Sequence, residues 1–478
     1  MKKKGRVGVG INWLEEVLKR KEELIQDTQA LLRIPSVLDE ESATEEAPLG
    51  RGVYEALQFL LRRGQEEGFT AKNLDGLAGH LEMGQGDELI GILCHVDVVP
   101  PGDGWSSDPF AAEIRDEKIY ARGAIDDKGP TMAALYAMKI VKELGLPLRK
   151  RVRMIIGTDE ESNWRCVDHY FKHEEMPTMG FAPDADFPII YAEKGIVDLD
   201  LCQPLTEMSE QGGIQLYSFR SGRRYNMVPD FAEAVLAVND EQKEKIEKHY
   251  HHFLREANMK GNAIVKEETI TFQLEGVSAH AMEPDNGKNA GLWLAKWLSS
   301  IELDAPAASF IRFVTDYFFA DSRGNKLGIA YHDEITEDLT VNVGILSYDR
   351  QGGAKIGLNI RYPVTNEIEQ TKQKLEAVAA QHGFTVGHFS DSKPHYVDQN
   401  HELVRTLQRV YEEQTGERAT LLSIGGGTYA RSLKAGVAFG PLFPGRPDVA
   451  HQKDEYIIID DLLKATAIYA QAIYELAK

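Results

Sequence analysis

The sequence places two acids side by side, Glu160 and Glu161 of GTDEESNW, directly after the apolar run VRMIIG. Polar residues also stand where an apolar run gives way to a loop at three other points. These are His95 and Asp97 in GILCHVDVVP, Asp126 and Asp127 in GAIDDKGP, and Asp184 and Asp186 in FAPDADFP. His451, in PGRPDVAHQKDE, follows the last apolar run before the closing helix. Taken singly each is ordinary: adjacent acids are usually solvated, and an Asp ahead of a helix is usually a cap. Taken together they offer what a pair of zinc ions needs, imidazole and carboxylate ligands with one carboxylate and one water shared. Alternate residues of a strand share a face, so Asp97 can orient the His95 imidazole. Successive residues at a strand end point in different directions. Glu161 can therefore reach a metal while Glu160 faces the attacking water as its base.

Such a set works only if the fold gathers it at one edge. ELIGILCHVDVVP is a nearly continuous apolar strand of the kind buried on both faces in a parallel sheet. The alternation of strand, loop, helix and strand through MAALYAMKIVKELG and RVRMIIG predicts an α/β layer, whose ligands bind at the carboxyl ends of the strands. An amphipathic helix is predicted from Trp13 to Leu32, stopped by Pro35. From EKGIVDLDLCQPL onward the texture changes to long amphipathic strands and charged helices, and near Pro394 the first pattern returns with HELVRTLQRVYEEQTG, SIGGGTYAR and GVAFGPLFPG. The expected organisation is an α/β catalytic domain, a mixed sheet flanked by helices, formed by residues 1–196 and 393–478. An inserted α+β domain, 197–392, interrupts it, and residues 1–12 form a disordered leader.

Composition narrows the function. Formal net charge is -21, which repels phosphate backbones and anionic lipid, so nucleic acid and membrane are not expected partners. The 3 cysteines cannot build a disulfide framework and fit the reducing cytoplasm. No apolar stretch of signal-peptide or membrane-spanning length occurs.

The motifs HVDVVPPGDGW, ARGAIDDKGPT, GTDEESNW, PDADFP, GVSAHAMEPDNGKNA, GGGTYAR and FPGRPDVAHQKDE, in this order, resemble the dipeptidase V (PepV) type of the co-catalytic zinc peptidases related to aminoacylase, carnosinase and succinyl-diaminopimelate desuccinylase. The resemblance runs from about Trp13 to the end of the chain. It implies one zinc held by His95, Asp126 and Asp184 and a second by Asp126, Glu161 and His451, with Asp97 orienting His95 and Glu160 as general base and later acid. It makes the inserted domain a lid, and there it implies His280 as the donor that stabilises the tetrahedral oxyanion, Asn226 as a substrate contact and Arg361 as the clamp on the substrate carboxylate. It further implies that Gly426 and Thr428, in the loop Gly425 to Thr428, line the substrate pocket. The implied cofactor is two divalent ions, zinc first, with manganese or cobalt as the other candidates. The implied activity is hydrolysis of unblocked dipeptides, β-alanyl ones among the candidates, by a monomer. An N-acyl amino acid deacylase, a tripeptidase and a non-catalytic metal-loaded peptide-binding protein stand as alternatives. A phosphoesterase ranks below them, because no cationic phosphate-cradling motif flanks the ligands. His249, His251 and His252 of HYHHF, and His169 with His173, are read as surface residues, and Cys94 as core.

Overall fold

The computed structural model describes residues 10–204 and 213–478. Of the expected leader, residues 1–9 lie outside the described residues, whereas Asn12 belongs to the first helix: its side chain accepts from the Glu15 backbone N–H as a cap. The amphipathic helix expected over Trp13 to Leu32 is two helices, Trp13–Leu18 and Lys21–Leu32. The break falls at Arg20, whose guanidinium takes the Glu16 carbonyl and the Glu143 carboxylate, while its own N–H bonds to Val17 O.

The chain forms two compact units. The first comprises residues 1–191, 396–422 and 428–478; the second comprises 192–395 and 423–427. The second unit therefore takes in a short loop that lies outside the 197–392 expected from sequence. Backbone and side-chain bonds explain this, since Lys194 N–H donates to Ile424 O and Arg361 Nη1 to Gly425 O.

In the first unit a mixed sheet runs in the order Thr70–Leu74, Ala78–Gly84, Arg151–Gly157, Leu89–His95, Met179–Ala182 and Gly436–Ala438. The first two junctions are antiparallel and the following three parallel. Every residue of Leu89–His95 is buried, because the deeply buried helix Lys128–Glu143 and the closing helix Ile459–Ala477 pack over it. Register then does the positioning. His95 pairs with Gly157, so the loop carrying Asp97 and the loop carrying Glu160 and Glu161 leave the sheet side by side. Ile92 pairs with Phe181, and continuing that register brings Asp184 level with His95. At Gly157 a Cβ would fall 1.9 Å from the Tyr429 hydroxyl, so only glycine lets that ring lie against the strand end.

The second unit is, among the described residues, an 8-stranded antiparallel sheet. Its order is Lys260–Val265, Thr269–Glu275, Phe231–Ala237, Gln215–Ser221, Thr340–Asp349, Gly353–Tyr362, Gly195–Gln203 and Thr385–Ser392. Burial alternates along Phe231–Ala237 and Thr269–Glu275, and the buried face meets Trp297, Phe310 and Tyr250 from the helices Ala290–Leu298, Ala305–Tyr317 and Asp240–Glu256. The last of these is fixed by a capping box between Asn239 and Gln242 and turns Ile246, Tyr250 and Leu254 inward. His251 and His252 are left to face Glu247 and Glu256 along the helix. No helix of the described residues is long and apolar enough to cross a membrane.

Candidate metal centre

His95, Asp97, Asp126, Glu160, Glu161, Asp184 and His451 all belong to the first unit, and the strand ends bring the five acids and two histidines together. His95 is fully buried. Its Nε2 lies 3.1 Å from Asp126 Oδ1 and 3.7 Å from Asp184 Oδ1. His451 reaches the same place from the other side, with Nε2 2.9 Å from Asp126 Oδ2 and 3.1 Å from Glu161. The two oxygens of Asp126 thus face different imidazoles. Donor atoms of Asp126, Glu161 and His451 lie within 4.8 Å of one another, as do those of His95, Glu160 and Glu161 and those of His95, Asp127 and Asp184.

Asp97 holds the ring more through its backbone than through its carboxylate. His95 Nδ1 is 3.0 Å from Asp97 O and 3.4 Å from Asp97 Oδ1, while Asp97 Oδ2 accepts the Glu161 N–H at 3.0 Å. One aspartate thereby fixes both a histidine and the backbone of the Glu161 loop. Asp127 does not cap the helix that follows it; its Oδ2 accepts from the His95 N–H and the Thr131 hydroxyl. Asp186, paired with Asp184 in the sequence reading, is exposed and stands apart from the cluster.

Electrostatics supports a cation at this place. Burial pushes the Asp184 carboxyl up to about 6, with Asp126 and Glu161 adding to the shift and His95 opposing it. Burial, then Asp184, Glu161 and Asp126, hold Glu160 well above the carboxylate range against His95. Glu161 is raised by burial against its bond to His451. Hydrogen bonds to Asp126 and Glu161 carry His451 up to about 11. For Asp126 burial is outweighed by its bonds to His451 and His95, and its carboxyl falls below the usual range. Among the described residues no lysine or arginine pairs with Asp126, Glu160, Glu161 or Asp184, and the inward oxygen Asp127 Oδ1 has no partner. Largely buried carboxylates that no lysine or arginine offsets, arranged with two imidazoles, match the donor chemistry of divalent transition ions.

Two residues that sequence reasoning missed hold the loops. Glu455 Oε1 accepts the N–H groups of Ile125 and Asp126, and its other oxygen takes Arg122 Nη1 at 2.6 Å. Glu455 stands at the end of the quoted HQKDE and Arg122 within ARGAIDD, so both lie inside motifs whose other residues are the conspicuous ones. Tyr429, buried, sets its ring edge-on to His95.

The remaining expected site residues, Thr428 apart, belong to the second unit. Asn226 O accepts the Ala281 N–H beside His280. His280 Nδ1 accepts the Met282 N–H at 3.2 Å, so the neutral ring carries its proton on Nε2. Burial and then Arg361 lower the His280 pKa, which favours that neutral form. Arg361 is buried, with Nε on Asn359 Oδ1 at 2.7 Å and Nη1 on Gly425 O at 3.0 Å, next to Gly426 in the chain. Thr428 belongs to the first unit and precedes the short helical turn Tyr429–Ser432.

Residues 91–475 match "Peptidase family M20/M25/M40". The chain belongs to that family. This M20 peptidase is a metallopeptidase, 60% identical over 468 residues to the protein described as "Putative dipeptidase YtjP" of Bacillus subtilis strain 168, covering 98% of this chain and 100% of the relative. It is also 44% identical, over 97% of this chain and 99% of the relative, to the "Putative dipeptidase" of Staphylococcus epidermidis. Its fold is shared with aminoacylhistidine dipeptidase from Vibrio alginolyticus, with TM-score 0.58, 14% identity and coverage of 95% and 96% of the two chains. The aminopeptidase PepT of Bacillus cereus gives TM-score 0.57, 15% identity and coverage of 96% and 99%.

Proposed function

We propose that this M20 peptidase is a dipeptidase of the PepV type, working as a cytoplasmic monomer with two divalent ions, zinc first, and that the domain expected over residues 197–392 serves as its lid. The observation that carries the reading is Asp126, whose two carboxylate oxygens face His95 on one side and His451 on the other. That arrangement suits a bridging ligand, with His95 and Asp184 completing one site and Glu161 and His451 the other. Bound there, divalent ions supply Lewis acidity to the scissile carbonyl and acidity to a water. The relatives described as dipeptidases support the substrate class, and the 3 free cysteines suit a reducing compartment.

The chain's own residues then do the following. Glu160 takes a proton from the attacking water on its carboxylate and returns it to the departing amine; a carboxyl held above its usual range is suited to both directions. Asp97 fixes the His95 ring through its carbonyl and the Glu161 backbone through its carboxylate. His280 donates from Nε2–H to the oxygen that gains charge in the tetrahedral state. Arg361 pairs with the substrate's terminal carboxylate, Asn226 orients the peptide, and Gly426 and Thr428 line its pocket.

The test is a substrate panel of Leu-Leu, β-Ala-His, Leu-Leu-Leu and N-acetyl-Leu, with protein stripped by chelator and reloaded with zinc or manganese. Metal-dependent cleavage confined to the unblocked dipeptides is the expected result. Cleavage of N-acetyl-Leu alone would make the protein a deacylase, cleavage of Leu-Leu-Leu alone a tripeptidase, and silence on all four would leave a binding protein.

A further inference from the structure

The buried pair of Arg122 and Glu455 is 2% and 0% exposed at the side chains, and no step of the reaction uses it. Its contacts run to three separate loops. Glu455 accepts the backbone N–H groups of Ile125 and Asp126 at 3.0 and 3.2 Å, and its own backbone carbonyl accepts the Ala121 N–H. Arg122 donates to Gln452 O at 3.1 Å, to His451 O at 3.3 Å and to Pro101 O at 3.3 Å, the last in the loop that follows the His95 strand. A carbonyl that receives the guanidinium is that of His451 itself, whose φ of 62° lies in the left-handed region that side chains other than glycine avoid. The guanidinium therefore holds in place a turn whose backbone would relax without it, and relaxation would swing the imidazole away from Asp126.

We propose that Arg122 and Glu455 are positioning residues that fix the separation of the Asp126 carboxylate from the His451 imidazole, and with it the affinity of the site formed by Asp126, Glu161 and His451 for its divalent ion. The inference rests on the reading of those three residues as ligands. The other site shares Asp126 but not His451, the ligand whose backbone Arg122 holds, and so depends on the pair less. His95 is held by its own strand, by Asp97 and by the bond of its N–H to Asp127, and Asp184 follows a different strand. Removing the pair should thus loosen one ion selectively. Partners that orient metal ligands are typically worth about 10- to 100-fold in affinity when lost.

The experiment is a competition titration of metal-free wild-type, Glu455→Gln and Arg122→Lys proteins with zinc against a chromophoric chelator, with circular dichroism to check folding. Glu455→Gln retains an acceptor for the two N–H groups but loses the charge that holds Arg122. Arg122→Lys keeps the charge but cannot reach three carbonyls, so either variant suffices if the other fails to fold. Wild type should bind two ions. Folded variants should keep one at wild-type affinity and bind the other about 10- to 100-fold more weakly, and their turnover should return towards wild type in excess zinc. Two ions bound as tightly as in wild type would overturn the proposal, and so would equal weakening of both, which marks a general structural role. A wild type that binds fewer than two ions would overturn the ligand reading and this inference with it.

Discussion

Asp184→Asn should stabilise the metal-free protein at pH 8, although it removes a group assigned to the metal. Burial, with Asp126 and Glu161 adding and His95 opposing, lifts the Asp184 carboxyl from 3.8 to about 6. A pKa raised in the folded state means the fold favours the protonated form. The associated stability is fully present below 3.8 and is lost as pH rises through about 6. Above that, the ionised side chain carries the whole shift as a penalty on the order of 3 kcal/mol. Asparagine has no charge to bury, so urea unfolding in chelator at pH 8 should show a gain of that order. At pH 5, where the wild-type carboxyl is mostly protonated in the fold, the gain should shrink to about half. With zinc the order should reverse, because ligand binding stabilises only the chain that still has the site. An asparagine variant less stable than wild type at pH 8 in chelator, or a gain that does not fall at pH 5, would refute the account of Asp184 as a buried charge that its neighbours only partly offset.

Glu160→Gln should retain two ions by metal analysis and lose roughly 10²- to 10⁴-fold in turnover, the range for a positioned proton acceptor; loss of metal instead would make Glu160 a ligand. His451→Ala should bind one ion fewer per chain, and an unchanged stoichiometry would remove it from the ligand set. Arg361→Ala should raise KM for free dipeptides by about 10- to 100-fold, as expected for a charge-assisted bond of about 1.5–3 kcal/mol, and affect C-terminally amidated peptides less. Equal loss on both would assign Arg361 to holding Asn359 and Gly425 rather than substrate.

The strands and the acids that follow them are legible in the sequence because burial on both faces leaves an uninterrupted apolar run, as in Leu89–His95, and a polar residue at its end is then conspicuous. The register is not legible. Nothing in the residues alone says that His95 pairs with Gly157, yet that pairing sets Asp97 beside Glu161. Asp127 reads as a possible cap because one of its partners, the His95 N–H, is distant in sequence at the end of a strand and the other is the Thr131 hydroxyl rather than a backbone N–H. The first helix reads as one piece because Arg20 fits a helix by propensity, and only the tertiary bond to Glu143 reveals the break. Glu455 and Arg122 escape notice for a related reason: a buried ion pair spaced far apart in sequence has no local pattern.

These omissions share a cause that bears on how the centre works. Loops must carry the ligands, since a strand interior cannot aim several acids at one point, but loops hold geometry poorly unless their backbone is bonded elsewhere. Here the bonding is done by groups adjacent to the ligands rather than by the ligands. The Asp97 carboxylate takes the Glu161 N–H, Glu455 takes the Asp126 N–H, and Arg122 takes the His451 carbonyl. Each ligand side chain is thereby relieved of structural duty and remains directed at its neighbours' donor atoms. The cost is that the carboxylates meet at close quarters with the two imidazoles and no lysine or arginine to offset them, and Asp184, Glu160 and Glu161 are raised. A site assembled in this way repels itself until divalent ions enter, so the same arrangement that weakens the empty fold favours binding of the ions.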